Sequence, residues 1–350
     1  MHATTVAIDL AKDVFELAFA DPAGRILERK RLTRRAFCRV MENRPVMTVV
    51  MEACGSAHYW GRRFQALGHS VRLLPARDVR PYVRRNKTDR ADAAGLIEAA
   101  RCEQIAEVPV KSPRQQGLQA LHRVREQFKA QRTAAINLLR GVLREYGVVI
   151  PNGSAKVRSA VQAALEDATN DVPMALRATL AEQLERVASF QADMARIEKR
   201  LAEEAANDVA VQRYLTVPGV GLLTATALRA GAGELARFNS GRHLAAWIGL
   251  VPREHSSGHQ RRLGRITKRG DPYLRTLLIH GGRAVLRSAL MRQRAGKPLD
   301  SLQAWALELA QRQGHNKTAV ALANKLARRL WALDHYGTAF NPNHISRRPA

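Results

Sequence analysis

No apolar run in this chain approaches the roughly 20 residues that a membrane-spanning helix needs, which argues against a helical membrane protein. The opening MHATTVAIDLAKD also places acids where a secretory signal needs an unbroken apolar core, so no leader is expected. Cysteine is scarce. Cys38, Cys54 and Cys102 are odd in number and lack CxxC spacing, so neither a zinc ligand set nor a disulfide framework is expected. Small apolar core residues in a reduced, cytoplasmic setting are the natural reading of all three. Acid is the other shortage: 31 Asp and Glu stand against 57 Lys and Arg, a formal +26. The isoelectric point is near 11.2.

That imbalance means strong, salt-dependent attraction to polyanions, and with no membrane span the expected polyanion is nucleic acid. An excess this large fits more than one duplex, or an RNA as well as DNA. The chain is otherwise ordinary for a globular protein, 46% hydrophobic and 25% charged. Its 350 residues allow two or three domains. The patterns divide it into an α/β domain over 1–110, a helical arm over 111–210 and a mainly helical domain over 211–350.

In the first part, TTVAIDL (4–10) and VFELAFA (14–20) read as a hairpin, ADPAG (20–24) as a turn and RILERKRL (25–32) as a third strand. PVMTVVME (45–52) is nearly all apolar, the signature of a strand buried on both faces. Gly55-Ser56 opens a helix that Gly68 closes, VRLLP (71–75) is a fifth strand, and Thr88 can cap a helix beginning at Asp89. A mixed sheet follows from that order.

Further on, Leu121, Val124, Phe128, Gln131, Ala135, Leu138 and Val142 recur at three–four spacing, as do Val187, Phe190, Met194, Ile197 and Leu201. Two long helices are expected, as a coiled-coil arm or dimerisation element, or equally as an intramolecular bundle. VPGVGLLTATAL (217–228) resembles a helix-hairpin-helix in which Gly219 and Gly221 let backbone amides approach a phosphate; a plain glycine turn is the competing reading. REHSSGHQRRLGRITKRGD (253–271) shows no helix or strand periodicity and is dense in Arg, Lys and Gly. Arg261, Arg262, Arg265, Lys268 and Arg269 fall within it and suit a nucleic-acid backbone.

Four acids stand out. Asp9 and Glu52 end two apolar strands, where an unpaired buried carboxylate would cost several kcal/mol. Open α/β sheets build their sites at such strand ends. Asp89 and Asp92 lie one turn apart on a helix, in a stretch that also holds Arg84, Arg85, Lys87 and Arg90. Taken singly, each acid has an ordinary structural explanation. Taken as an ordered set, they describe a ribonuclease-H-like metal site. Carboxylates about 4 Å apart repel by roughly 4 kcal/mol at an effective dielectric of 20, so convergence would require cations. Mg²⁺ or Mn²⁺, which prefer oxygen ligands, would then act on a phosphodiester, with the nearby basic residues lining the DNA approach.

IDLAKD, VVMEACG and NKTDRADA, followed by VPGVGLLTATAL, LAAWIGLVPREHSSG and RRLGRITKRGDPYLRTLLIHGGRA, resemble the DEDD-type insertion-sequence transposases of the family numbered one-ten, in its eleven-eleven branch. The likeness runs from about residue 5 to 335. It implies a RuvC-like N-terminal domain, a coiled-coil arm and a C-terminal domain that supplies a serine nucleophile. It also implies that Asp9, Glu52, Asp89 and Asp92 hold Mg²⁺, that a phosphoserine links protein to DNA, and that a non-coding RNA guides the choice of target and donor. A homodimer or homotetramer is expected, because the serine and the acids lie on different domains joined by a long helical arm and a site shared between subunits would unite them. The serine before glycine is Ser257, with Ser256 next to it as the alternative. His255 stands where the family pattern has tyrosine. Two other functions share parts of this signature: a metal-dependent junction-type endonuclease without a serine, and a non-catalytic basic scaffold.

Overall fold

The N-terminal strand-forming runs pair into one sheet, in a computed structural model that describes residues 2–83 and 88–342. The chain divides into two units, Met1–Arg114 and Gln115–Ala350. The first contains β1 (Thr5–Asp9), β2 (Val14–Ala20), β3 (Ile26–Thr33), α1 (Arg34–Phe37), β4 (Thr48–Glu52), α2 (Ala57–Ala66), β5 (Ser70–Leu74), α3 (Ala76–Val79) and α4 (Asp89–Ala100). Strand order is β3-β2-β1-β4-β5. The β1–β2 and β2–β3 pairs are antiparallel, whereas β1–β4 and β4–β5 are parallel.

Alternation along the strands sends their residues to two different cores. Val6, Ile8, Phe15, Leu17, Val49 and Met51 face Phe37, Trp60 and Phe64, with the Phe15 and Phe37 rings stacked 4.1 Å apart. Ala7, Ala18, Ala20 and Val50 face Ala93, Leu96 and Ile97 of α4. Alanines on that side of the sheet let α4 lie close. Val49, Val50 and Met51 are fully buried, as expected for a strand covered on both faces. The cysteines depart from expectation: Cys54 is exposed, and Cys38 and Cys102 are only half-buried, so none is a true core residue. Cys54 follows the end of β4, where the chain has left the sheet.

The second unit opens with α5 (Pro113–Glu145, beginning in the first unit's last residues), α6 (Val157–Glu166) and α7 (Met174–Ala206). The long helices α5 and α7 are joined by Ile136, Leu139 and Leu143 against Leu180, Leu184 and Val187. Leu118 meets Ile197 and Leu201 at the other end. On α7 the heptad reading holds. On α5 it drifts: Val124 and Leu138 are 38% and 50% exposed, while His122, Arg125, Ile136 and Leu139 turn inward. A helix of 3.6 residues per turn slips about 20° per heptad against a 3.5 repeat. Arg125 then enters the seam paired with Glu198 of α7.

There follow α8 (Val209–Leu215), α9 (Leu222–Ala232), α10 (Gly241–Ile248), β6 (Pro252–Glu254), β7 (Leu263–Ile266), α11 (Pro272–Arg294), α12 (Ser301–Gln313) and α13 (His315–Tyr336). Around Tyr214, Leu228, Leu244, Leu278 and Leu326, helices α8, α9, α10, α11 and α13 share one apolar core, while Leu302, Ala306 and Leu307 of α12 pack in a second cluster against Val285, Leu286 and Leu322. The mixed α/β domain followed by mostly helical structure is the class expected from sequence, consistent with a RuvC-like fold. The aperiodic stretch after Val251 holds a correction, because β6 and β7 pair as an antiparallel ribbon. Both faces of that ribbon are in solvent, so no apolar alternation could announce it. Among the described residues, no helix is long and apolar enough to cross a membrane.

Candidate active site and nucleic-acid interface

The parallel register Ile8↔Met51 brings the next residues of both strands, Asp9 and Glu52, to the same level at their carboxyl ends. Adjacent strands lie about 4.8 Å apart. Asp9 shares alternation with Ala7, and Glu52 with Val50, so both belong to the face that α4 covers. Burial first, and then the negative charge of Glu52 and Asp9, push the Cys54 thiol up.

Asp89 and Asp92 occupy the first turn of α4, whose start is fixed by Thr88 accepting from the Ala91 amide at 3.2 Å. Past the helix end, Arg101 lies against Gly24 in the β2–β3 turn. The acidic first turn of α4 therefore sits toward the opposite end of the sheet, where β1 and β4 finish. All four predicted acids thus share one face and one end. They do not close on a point: among the described residues, no group of three or more His, Cys, Asp or Glu side chains is placed to hold a metal ion. As donors they are uniform, all carboxylate oxygen, which fits a hard divalent cation.

Sequence reasoning passed over Glu16. It pairs directly across from Asp9 and has the alternation of Ala18, so it extends the acid row onto β2. Its signal was visible, since Glu16 is the one charged residue in VFELAFA. Of the basic residues grouped with α4, Arg90 is exposed and its carbonyl accepts from Arg29 at 3.1 Å. Arg84, Arg85 and Lys87 lie outside the described residues.

In the second unit, the ribbon of β6 and β7 is exposed at every residue from 252 to 265. Two-stranded hairpins are marginal alone in water, so the root matters. Thr267 and Lys268 donate backbone bonds to Val251 and Gly249 at 2.8 and 3.2 Å. Arg275 donates to the carbonyls of Ile248 and Arg269 at 3.0 and 3.2 Å. Lys268 takes a left-handed φ of 54°, rare for a residue with a side chain. At the tip, Ser257 and Gln260 exchange backbone bonds across Gly258-His259. Gly258 has φ 57°, the glycine placement a type II′ turn favours.

Ser257 is at this tip, and its hydroxyl has no hydrogen-bond partner among the described residues. Around it, Arg261 pairs with Glu254 at 3.4 Å, and Arg262 reaches Gln260 at 3.1 Å. Arg265, Lys268 and Arg269 present their side chains in solvent. One acid, Glu254, accompanies six Lys and Arg between 252 and 270. Such a strip suits a phosphate backbone.

The glycine-rich turn between α8 and α9 is less simple. Gly219 has φ 87°, and a Cβ there would stand 2.8 Å from the Gly281 carbonyl oxygen of α11. Helix packing alone therefore explains that glycine. Gly221 is exposed at the start of α9, with nothing within 4 Å of where a Cβ would be.

Comparison with known proteins supplies the family. Residues 6–148 match a DEDD transposase domain of the IS110 type, and residues 211–296 match the domain described as transposase IS116/IS110/IS902 family. A probable family 20 transposase of Pseudomonas aeruginosa is 42% identical, over 98% of this chain and 100% of that protein. The transposase for insertion sequence element IS1111A of Coxiella burnetii is 37% identical, over 94% of this chain and 88% of that protein. The transposase for IS1328 of Yersinia enterocolitica is 34% identical, over 97% and 99%. A DEDD-type domain implies use of a divalent metal, for which the acids at the ends of β1 and β4 and the start of α4 are the chemically suited donors. The chain belongs to the IS110/IS116/IS902 family of insertion-sequence transposases, enzymes that cut and rejoin DNA.

Proposed function

We propose that this transposase cuts DNA through a covalent phosphoserine, using Ser257, with Asp9, Glu52, Asp89 and Asp92 as ligands for Mg²⁺ (or Mn²⁺). The observation that carries the reading is the Ser257 hydroxyl, unpartnered at the tip of an exposed basic ribbon. A bound divalent cation would supply charge neutralisation at the scissile phosphate. The chain's own residues do the rest. The ribbon arginines hold the phosphate backbone, and Arg261 and Arg262 offset negative charge that builds on phosphorus-bound oxygens. The Ser257 oxygen bonds to phosphorus as its proton leaves to base or solvent. The bond from phosphorus to the departing strand-end oxygen breaks, and that oxygen takes up a proton. Rejoining is the reverse, with a strand-end hydroxyl displacing the serine.

Convergence of the four carboxylates is part of the proposal. Since the acids and Ser257 belong to different units, a homodimer or homotetramer that shares a site between subunits is the assembly we favour. The +26 charge supports a guide RNA held together with donor and target DNA, in the cytoplasm at the nucleoid. Arg84, Arg85, Lys87, Arg90 and Gly221 would add backbone contacts.

Trapping tests this. Cells carrying the chain's own coding gene with its native flanks are lysed under denaturing conditions, and protein–DNA adducts are collected. Adduct is expected with the wild type and absent in Ser257→Ala. Asp89→Asn and Asp92→Asn should lose cutting while keeping DNA affinity. Cutting that survives Ser257→Ala but not Asp9→Ala would instead mark a hydrolytic endonuclease. Indifference to both changes would mark a non-catalytic scaffold.

A further inference from the structure

Ser256 and Ser257 are neighbours with unlike surroundings. Ser256 Oγ donates to Glu254 Oε1 at 2.7 Å and accepts from the Arg262 backbone N–H at 3.1 Å. Glu254 ends the outgoing strand, and Arg262 immediately precedes the return strand. The Ser256 hydroxyl therefore bridges the two sides of the ribbon. It does so between the His255–Arg262 backbone bond at 2.9 Å and the Ser257–Gln260 pair. The same Glu254 oxygen receives Arg261 Nε.

A ribbon solvated on both faces specifies its register weakly, and a slip of one residue turns every side chain to the other face. Here such a slip would put Ser256 where Ser257 now stands. Backbone bonds can re-form after a slip, but the Ser256–Glu254–Arg262 chain cannot. The geometry points to Ser256 and Glu254 as a clip: positioning residues that lock the register of the tip so that Ser257 alone offers a free hydroxyl. The clip also holds Arg261 in an exposed pair, of the kind that is weak in water and exchanges readily for a phosphate. This inference rests on the serine reading above.

Mapping the attachment site in the cellular trapping assay separates the two. Wild-type adduct is expected on Ser257. Ser256→Ala should lower adduct yield about tenfold with DNA affinity unchanged, and Ser256→Thr, which keeps the hydroxyl, should restore it. Glu254→Ala leaves both serines and breaks the clip on one side, keeping only the bond from the Arg262 amide to Ser256 Oγ, so part of its adduct should move to Ser256. A merely structural role would lower yield without moving the attachment site. Adduct from Glu254→Ala that is undiminished and wholly on Ser257 overturns the clip and leaves the serine reading standing. Wild-type adduct on Ser256 overturns the choice of Ser257 and makes Ser256 the attacking group. No adduct with any serine overturns both. Unchanged thermal unfolding of each variant guards against loss of fold.

Discussion

Gly270→Ala tests whether the ribbon works because its root is rigid. Gly270 has φ 83°, and a Cβ there would fall far inside contact distance of the Trp247 carbonyl oxygen, with the Trp247 carbonyl carbon at 3.0 Å. Its counterpart Gly249, φ 81°, approaches Arg269 in the same way, with the Arg269 nitrogen 2.6 Å from a Cβ. Neither neighbour is a flexible side-chain tip, so backbone must move. The left-handed conformation costs an alanine about 1–2 kcal/mol, and overpacking adds about 1–3. The sum, about 2–5 kcal/mol, opens the root at least about 30-fold more often. Hydrogen exchange reads this directly at the amides of Thr267 and Lys268, which are bonded to Val251 and Gly249. Both should lose protection by about that factor, and adduct formation should fall at least tenfold. Gly258→Ala is the control: its φ is 57°, but nothing lies within 4 Å, so only the conformational cost applies. A Gly270→Ala protein with wild-type amide protection and wild-type cutting would refute the reasoning.

Two further outcomes concern the arm and the ribbon. Burial, reinforced by Arg125, holds the His122 imidazole down to about 4, with Glu126 and Asp271 opposing. The ring lies between Tyr273 Oη and Thr226 Oγ1, each 3.0 Å away. Since the folded value is below the unfolded value near 6.5, the unfolded chain takes the proton first as pH falls. Stability is therefore full above about 6.5 and declines toward pH 4, by up to about 3 kcal/mol. Urea unfolding of His122→Gln should show a flatter slope across that window, and an unchanged slope would count against it. At the ribbon, alanine at Arg262 or Arg265 should reduce the salt slope of duplex binding by about 0.9 per lost phosphate contact, measured by anisotropy. A slope equal to wild type would remove that residue from the interface.

Much of the first unit was legible because its signals are local. The apolar run to Glu52, the Thr88 cap and the glycine after α2 each announce their own element. The shared face of the four acids could be anticipated but not read, because it depends on the parallel register of β1 with β4. Glu16 shows the same limit: its place opposite Asp9 is set by pairing, and no spacing rule connects them. In the arm, Val124 and Leu138 obeyed the heptad and still lie in solvent, because a straight helix drifts and Arg125 takes a place in the seam. The ribbon was the least legible. A strand with water on both sides has no reason to alternate, and its existence rests on Gly249, Gly270 and Arg275, which lie outside both strands.

The parallel pairing of β1 with β4 also has a consequence for the newly made chain. On the ribosome, β1, β2 and β3 emerge as a meander that can pair at once, with Asp9 at the edge of an unfinished sheet. Its neighbour Glu52 arrives only when β4 docks, a non-local step that is intrinsically slow. The helix acids come later still, after β5. An interrupted chain ending anywhere before α4 thus lacks half of the acids, whatever its sheet has become. Under the mechanism proposed above, the nascent chain is therefore born inert and stays so until the ribbon that carries Ser257 has also been synthesised.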